Sequence, residues 1–173
     1  MTEASAVLET PRLILRRFTL EDAAFVFDLV NDPGWLEHIG DRNVHSLDDA
    51  RDYLRKGTLA MYERVGFGMY VVTLKSSGEP IGTCGLIKRE GLDDVDIGFA
   101  FLPGHRGQGY ALESARAVLQ YGAGALGLRR IVAIVSPANH RSIRVLEKIG
   151  LTFERMAKLP GDEEEIPLYA FEP

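Results

Sequence analysis

The stretch Val95-Asp96-Ile97-Gly98-Phe99-Ala100-Phe101-Leu102-Pro103-Gly104-His105-Arg106-Gly107-Gln108-Gly109-Tyr110-Ala111 decides how the chain is read. Its opening residues alternate. Val95, Ile97, Phe99 and Phe101 share one face and Asp96, Gly98 and Ala100 the other, which is the period of a β-strand. Leu102-Pro103-Gly104-His105 breaks the strand. Glycines at 104, 107 and 109 then crowd a turn before a long helical pattern, with Ala111, Ala115, Val118 and Leu119 on one small-residue face. Strand, glycine-rich turn and helix in that order suit an anion. A helix N-terminus offers unpaired N–H groups and a partial positive charge, and glycine lets the backbone approach a ligand and take up positive φ. No Gly-Lys-Ser/Thr follows, so the loop is not a nucleoside-triphosphate P-loop. Leu112 stands where a dinucleotide fingerprint has its third glycine. The glycines alone are equally consistent with a tight strand–helix connection.

Working outward, residues 1–9 read as a flexible leader and 10–173 as a single domain. Arg12 to Arg16 reads as a strand, and Thr19 to Asp32 as a helix whose N-cap is Thr19, with Asp22 in the capping-box position. Asp32-Pro33-Gly34 ends that helix. Trp35 to Arg42 has no clear periodicity and is read as a loop, either a filler or a pocket wall. Ser46 opens a second helix to about Arg64. Phe67–Leu74 and Glu79–Ile87 flank the turn Lys75-Ser76-Ser77-Gly78 as a hairpin. Beyond the glycine-rich turn come a helix from about Gly107 to residues 122–127, a short strand at Ile131–Val135, and a helix at His140–Ile149 closed by Gly150. A terminal hairpin spans Phe153–Leu159 and Ile166–Phe171. The expected fold is α/β, an α+β mixed sheet of about seven mostly antiparallel strands and four helices, with one parallel crossover from 95–101 to 131–135.

The chain has 173 residues, enough for one domain with a sizeable core, and 46 % hydrophobic and 26 % charged residues. A net charge of −5 without a basic block argues against nucleic acid as the main partner. The lone cysteine, Cys84, excludes an intramolecular disulfide, and its apolar strand makes it a buried structural thiol. The four histidines show no metal-ligating spacing, so no metal is expected. No apolar run approaches the ~18 residues of a membrane span. Met1 to Thr10 has no basic segment followed by an apolar run. No membrane partner and a cytoplasmic location are therefore expected.

Arg106-Gly107-Gln108-Gly109-Tyr110-Ala111 resembles the (Arg/Gln)-x-x-Gly-x-(Gly/Ala) signature of the GNAT superfamily of N-acetyltransferases. A second match, from Asn139-His140-Arg141-Ser142 to Glu147-Lys148-Ile149-Gly150-Leu151, resembles the family's Asn-x-x-Ser/Ala … Glu-Lys-x-Gly-Phe helix. Thr10-Pro11-Arg12-Leu13-Ile14-Leu15-Arg16 and Asn31-Asp32-Pro33 are similar to the ribosomal-protein N-terminal acetyltransferase branch. The resemblance implies a central pair of parallel strands that splay apart and an acetyl-CoA co-substrate. It implies that backbone amides of Arg106, Gly107, Gln108, Gly109, Tyr110 and Ala111 hold the pyrophosphate. Asn139 would touch the pantetheine arm, a role that coexists with an N-cap, and Ser142 would border the coenzyme beside it. The acetyl group would lie by the backbone of Phe99 and Phe101, where an N–H can stabilise an oxyanion.

The implied reaction is direct attack of a primary amine on the thioester. It needs a proton acceptor for the amine and gains modestly from a proton donor to the thiolate. Many relatives place a tyrosine seven residues after the Asn; here that residue is Leu146. Ser142, on the same helix, matches the serine of the ribosomal-protein branch and is the candidate acid. Otherwise it is a helix-internal hydroxyl bonded to the preceding turn. Asp96 is the candidate base, or else a surface carboxylate, with Glu37 and His38 as weaker alternatives. Trp35 reads as a core or loop anchor, and Glu163-Glu164-Glu165 as a solvated hairpin tip. The acceptor is a peptide N-terminus or a small-molecule amine, and the sequence is compatible with a monomer or a homodimer. A non-catalytic acyl-CoA-sensing module of the same fold is the alternative.

Overall fold

In a computed structural model, which describes residues 5–173, the alternating stretch at 95–101 becomes an inner strand of an eight-stranded mixed sheet. The strands are β1 (Ala6–Glu9), β2 (Leu13–Arg17), β3 (Met69–Leu74), β4 (Pro80–Ile87), β5 (Val95–Phe101), β6 (Ile131–Ile134), β7 (Thr152–Ala157) and β8 (Ile166–Phe171). Their order is β1-β2-β3-β4-β5-β6-β8-β7, antiparallel throughout except for the β5–β6 pair. The helices are α1 (Ala23–Val30), α2 (Pro33–His38), α3 (Leu47–Leu54), α4 (Ala60–Val65), α5 (Tyr110–Ala123) and α6 (His140–Lys148). A π-turn at Arg55–Leu59 joins α3 to α4.

Alternation along the strands divides the core between the two faces of the sheet. Leu13, Leu15, Tyr70, Val72, Cys84 and Leu86 pack with Ala115, Val118 and Leu119 of α5 on one face. Val71 turns the other way, into a cluster with Phe18, Val26, Val30, Ala50 and Leu54 from β2's end, α1 and α3. Burying apolar surface on both faces provides the main driving force for the fold.

The mixed α/β architecture expected from the sequence is the one observed, and the Thr19–Asp22 capping box is present in full. Three local readings change. Ala6–Glu9, expected as part of a flexible leader, pairs antiparallel with β2 as an edge strand; residues 1–4 lie outside the described part. Trp35 to Arg42, read as a loop, begins inside a short helix. Asp32 caps α2 by accepting from Gly34 and Trp35, and Pro33 supplies a preset φ in the first turn. A six-residue helix is too short to show a hydrophobic period, which is why the pattern missed it. Finally, α5 begins at Tyr110 and not near Gly107, because Gly107 and Gly109 have φ of 75° and 84° and cannot be helical.

Candidate active site

The β5–β6 pairing is short. Val95 faces Ile131 and Asp96 faces Val132, and no pair forms beyond them. From Ile97 onward the two strands diverge, so the edge of β5 turned toward β6 has backbone groups without a strand partner. The opening lies at the carboxyl ends of two parallel strands, where α/β sheets place their ligands. It leads into a cleft of about 720 Å³, within the usual range for ligand sites. Phe99, Ala100 and Phe101 line its floor, residues of the glycine loop one end, Asn139 and Ser142 one wall, and Trp35, Glu37, His38 and Ile39 of α2 and its C-cap another.

The glycine loop presents main-chain groups. Gly109 is the N-cap of α5 in the left-handed conformation, and no side chain caps that helix. Its first N–H groups are therefore available to an anion. Arg12 braces the loop from outside. Its Nη1 donates to the Gln108 carbonyl at 3.0 Å, its Nε to Glu113 at 2.8 Å, and its guanidinium lies 4.4 Å from the centre of the Tyr110 ring. Burial pushes the Glu113 carboxyl up, but hydrogen bonds from Thr10 and Arg12 outweigh it and leave the pKa below the ordinary Glu value. Gly107, Gly109, Tyr110 and Ala111 line the cleft. Gln108 does not: its side chain turns back to the Gly104 carbonyl at 3.1 Å. The Arg106 side chain is also committed, to Phe101 O at 3.0 Å and to Asp32.

On the wall formed by α6, Asn139 Oδ1 accepts from the Ser142 N–H at 3.2 Å, so Asn139 is an N-cap that also lines the cleft. The Ser142 hydroxyl forms no intramolecular hydrogen bond among the described residues. Ser114 shows the contrast: its Oγ back-bonds to the Tyr110 and Ala111 carbonyls, at 2.8 and 3.2 Å. Leu146 is 2 % exposed and packs in the core. Arg141, Arg144 and Lys148 project along the same wall and form no ion pair among the described residues. Cations with no protein counter-ion suit anionic ligands.

Asp96 lies elsewhere. It is 1 % exposed, so it is no surface carboxylate, and Arg89 pairs with it through Nε at 3.2 Å and Nη2 at 3.1 Å. Burial raises its pKa and Arg89 opposes the rise. Its partners across the sheet are Ile87 and Val132, in the part of β5 that is still paired on both edges. It therefore sits before the strands splay and does not line the cleft. Glu37 and His38 do line it, with His38 Nε2 3.8 Å from Glu37 Oε2. Trp35 both packs against the second core cluster and lines the cleft, with a buried Nε1 that has no partner among the described residues. Cys84 is fully buried, and burial pushes its thiol up to about 12. His105, Arg141, Arg144 and Lys148 were not singled out from the sequence; the i, i+3, i+7 spacing on α6 was the available signal. Among the described residues no His/Cys/Asp/Glu group is arranged to hold a metal, and no helix is long and apolar enough to cross a membrane.

The sequence profile described as "Acetyltransferase (GNAT) domain" matches residues 12–152, most of the chain. The chain belongs to the GNAT acetyltransferase family. It is similar to the "Uncharacterized N-acetyltransferase YnaD" of Bacillus subtilis (strain 168), with 31 % identity over 151 residues, 87 % of this chain and 85 % of that protein. Among solved structures it resembles an acetyltransferase from Agrobacterium tumefaciens str. C58, with a TM-score of 0.83, 27 % identity and coverage of 100 % of this chain and 98 % of the other. The fold is also shared with RimL, a ribosomal L7/L12 α-N-protein acetyltransferase solved in complex with coenzyme A, at a TM-score of 0.81 and 21 % identity, covering 97 % of this chain and 98 % of that one. As a GNAT protein the chain is an acetyl-CoA-dependent N-acetyltransferase, and the splayed strands with an uncapped helix N-terminus beside them fit that co-substrate.

Proposed function

We propose that the protein transfers the acetyl group of acetyl-CoA to a primary amine, a peptide N-terminus or a small-molecule amine, by direct attack within a ternary complex. The observation that carries this is the continuity of the cleft. One opening joins the glycine loop, the unpaired edge of β5 and the wall of α2, so thioester and amine meet without an acyl-enzyme. Backbone amides from Arg106 to Ala111 hold the pyrophosphate, and Asn139 borders the pantetheine arm. An N–H at Phe99–Phe101 stabilises the oxyanion that forms as the amine nitrogen bonds to the carbonyl carbon.

Collapse of that intermediate breaks the C–S bond and yields an amide and a thiolate. Ser142, whose hydroxyl is not used within α6, donates a hydrogen bond to the leaving sulfur and relays to it, through water, the proton that the amine releases. The ammonium proton leaves by Glu37 or His38, directly or through water. Asp96 serves the fold, its carboxylate committed to Arg89. Cys84 is fully buried and does not line the cleft, so it is not the nucleophile. Purified protein with acetyl-CoA and a panel of peptides, amino acids and polyamines, read by mass spectrometry, tests the proposal. An acetylated product dependent on Ser142 and Glu37 or His38 is expected. Coenzyme binding with no transfer to any amine would overturn the proposal.

A further inference from the structure

Arg12 stands just ahead of β2, three strands from β5 in the sheet and 96 residues from Gln108 in the chain, yet it reaches the glycine loop. A carboxylate fixes it there. Glu113, in the first turn of α5, accepts from the Arg12 main-chain N–H at 3.0 Å, from Arg12 Nε at 2.8 Å and from the Thr10 hydroxyl. With Nε held, the planar guanidinium keeps one direction for its remaining donors. Nη1 donates to the Gln108 carbonyl at 3.0 Å, and the guanidinium carbon lies 4.4 Å from the centre of the Tyr110 ring. Gly109 and Tyr110 line the cleft, whereas Arg12 does not.

The bond to Gln108 sets a direction inside the loop. The peptide joining Gln108 to Gly109 is trans, so its C=O and its N–H point to opposite sides. Drawing the carbonyl to Arg12, outside the cleft, sends the Gly109 N–H the other way. That N–H donates to no group among the described residues. Glycines at 107 and 109, with φ of 75° and 84°, do little to hold the plane by sterics alone. A half-turn of it would face the ligand with a carbonyl oxygen, which repels an anion where the N–H attracts one.

We infer that Arg12, locked by Glu113, is a positioning residue that sets the Gln108–Gly109 peptide plane and so preorganises the loop for the coenzyme pyrophosphate. This rests on the proposed coenzyme site. Arg12 touches neither reacting group. Its charge is matched by Glu113, so the pair acts on the anion by direction and not by net charge.

Calorimetric titration with coenzyme A tests this without knowledge of the amine, each variant being held below its own thermal midpoint. Arg12→Gln should raise Kd about tenfold, the worth of one hydrogen bond to a charged group. Arg12→Lys keeps the charge but cannot serve Glu113 and Gln108 from one planar fork, and should raise Kd about fivefold. Glu113→Gln, which frees Arg12, should raise Kd about threefold or more. Because the two residues act as a unit, the double variant should stay within about twofold of Arg12→Gln. Action through charge alone gives other signs: Arg12→Lys would bind as the wild type does, and Glu113→Gln would bind more tightly. Either result overturns the positioning role, as does an Arg12→Gln Kd within about twofold of wild type. A wild-type protein that binds no coenzyme A would instead remove the site itself, and the positioning role with it.

Discussion

Replacing Gly109 by alanine should separate the conformational demand of the loop from its mere flexibility. Gly109 has φ of +84°, and a Cβ there would lie 3.2 Å from Arg12 Nη2. The left-handed conformation costs an L-residue about 1–2 kcal/mol. Arg12 has a half-exposed side chain and can yield, but only by loosening its bonds to the Gln108 carbonyl and Glu113. Alanine also stiffens the unfolded chain, which returns about 0.4–1 kcal/mol. The net loss is about 0.5–1.5 kcal/mol, a fall of roughly 1–6 °C in Tm for a protein of this size. Coenzyme A affinity should fall by at least about tenfold, because relaxing φ turns the first amides of α5 away from the pyrophosphate. Gly104→Ala is the control: Gly104 lies in the same loop, its φ is not positive and nothing stands within 4 Å of its Cβ. Scanning fluorimetry with and without coenzyme A, together with calorimetry, reads both variants. Equal behaviour of the two, or a neutral Gly109→Ala, would refute the assignment of the loop.

Ser142→Ala should lower kcat by about 10²-fold at nearly unchanged KM for acetyl-CoA, in the range for a lost general acid. An unaltered kcat would clear Ser142 of that role. Asn139→Ala should cost about 1 kcal/mol of stability through the lost cap, and chemical denaturation measures it. Asp96→Asn should leave the shape of the pH–rate profile unchanged, whereas Glu37→Gln or His38→Gln should flatten one limb; the reverse pattern would return the base to β5. The Glu113 pKa is lowered in the folded state, so its contribution to stability is present above the ordinary value of 4.5 and is lost as pH falls below it through the folded pKa. Glu113→Gln should therefore shallow the acid limb of the stability curve, which Tm measured from pH 6 downward to about pH 3 will show.

Long-period and alternating patterns made most of the fold legible. Val95 to Phe101 declared itself by alternation, α5 by its row of small residues, and α6 by an Asn cap and a closing glycine whose φ is 106°. What escaped was set by tertiary contact. Ala6–Glu9 has no pattern stronger than a leader and becomes a strand because β2 offers an edge. α2 is held by Asp32, Pro33 and Arg106, and Arg106 lies far away in sequence. Alternation puts Asp96 on the face opposite Val95 and Ile97, yet no sequence pattern tells where two parallel strands part. That boundary lies just past Asp96, and it decides that Asp96 meets Arg89 while Phe99 and Phe101 border the cleft. The motif marks Arg106 but not its partners, since a motif specifies a position along the chain and not the direction of a side chain.

Transfer of an acetyl group from coenzyme A to an amine within this cleft can be measured directly. The most direct measurement incubates the purified protein with isotopically labelled acetyl-CoA and a mixture of free-N-terminus peptides and small amines. Labelled amide and free coenzyme A are then quantified together by mass spectrometry. Equal amounts of the two are expected, reduced at least about tenfold by Gly109→Ala at limiting coenzyme and strongly by Ser142→Ala. Saturable binding of acetyl-CoA with no labelled amide from any amine would contradict that transfer.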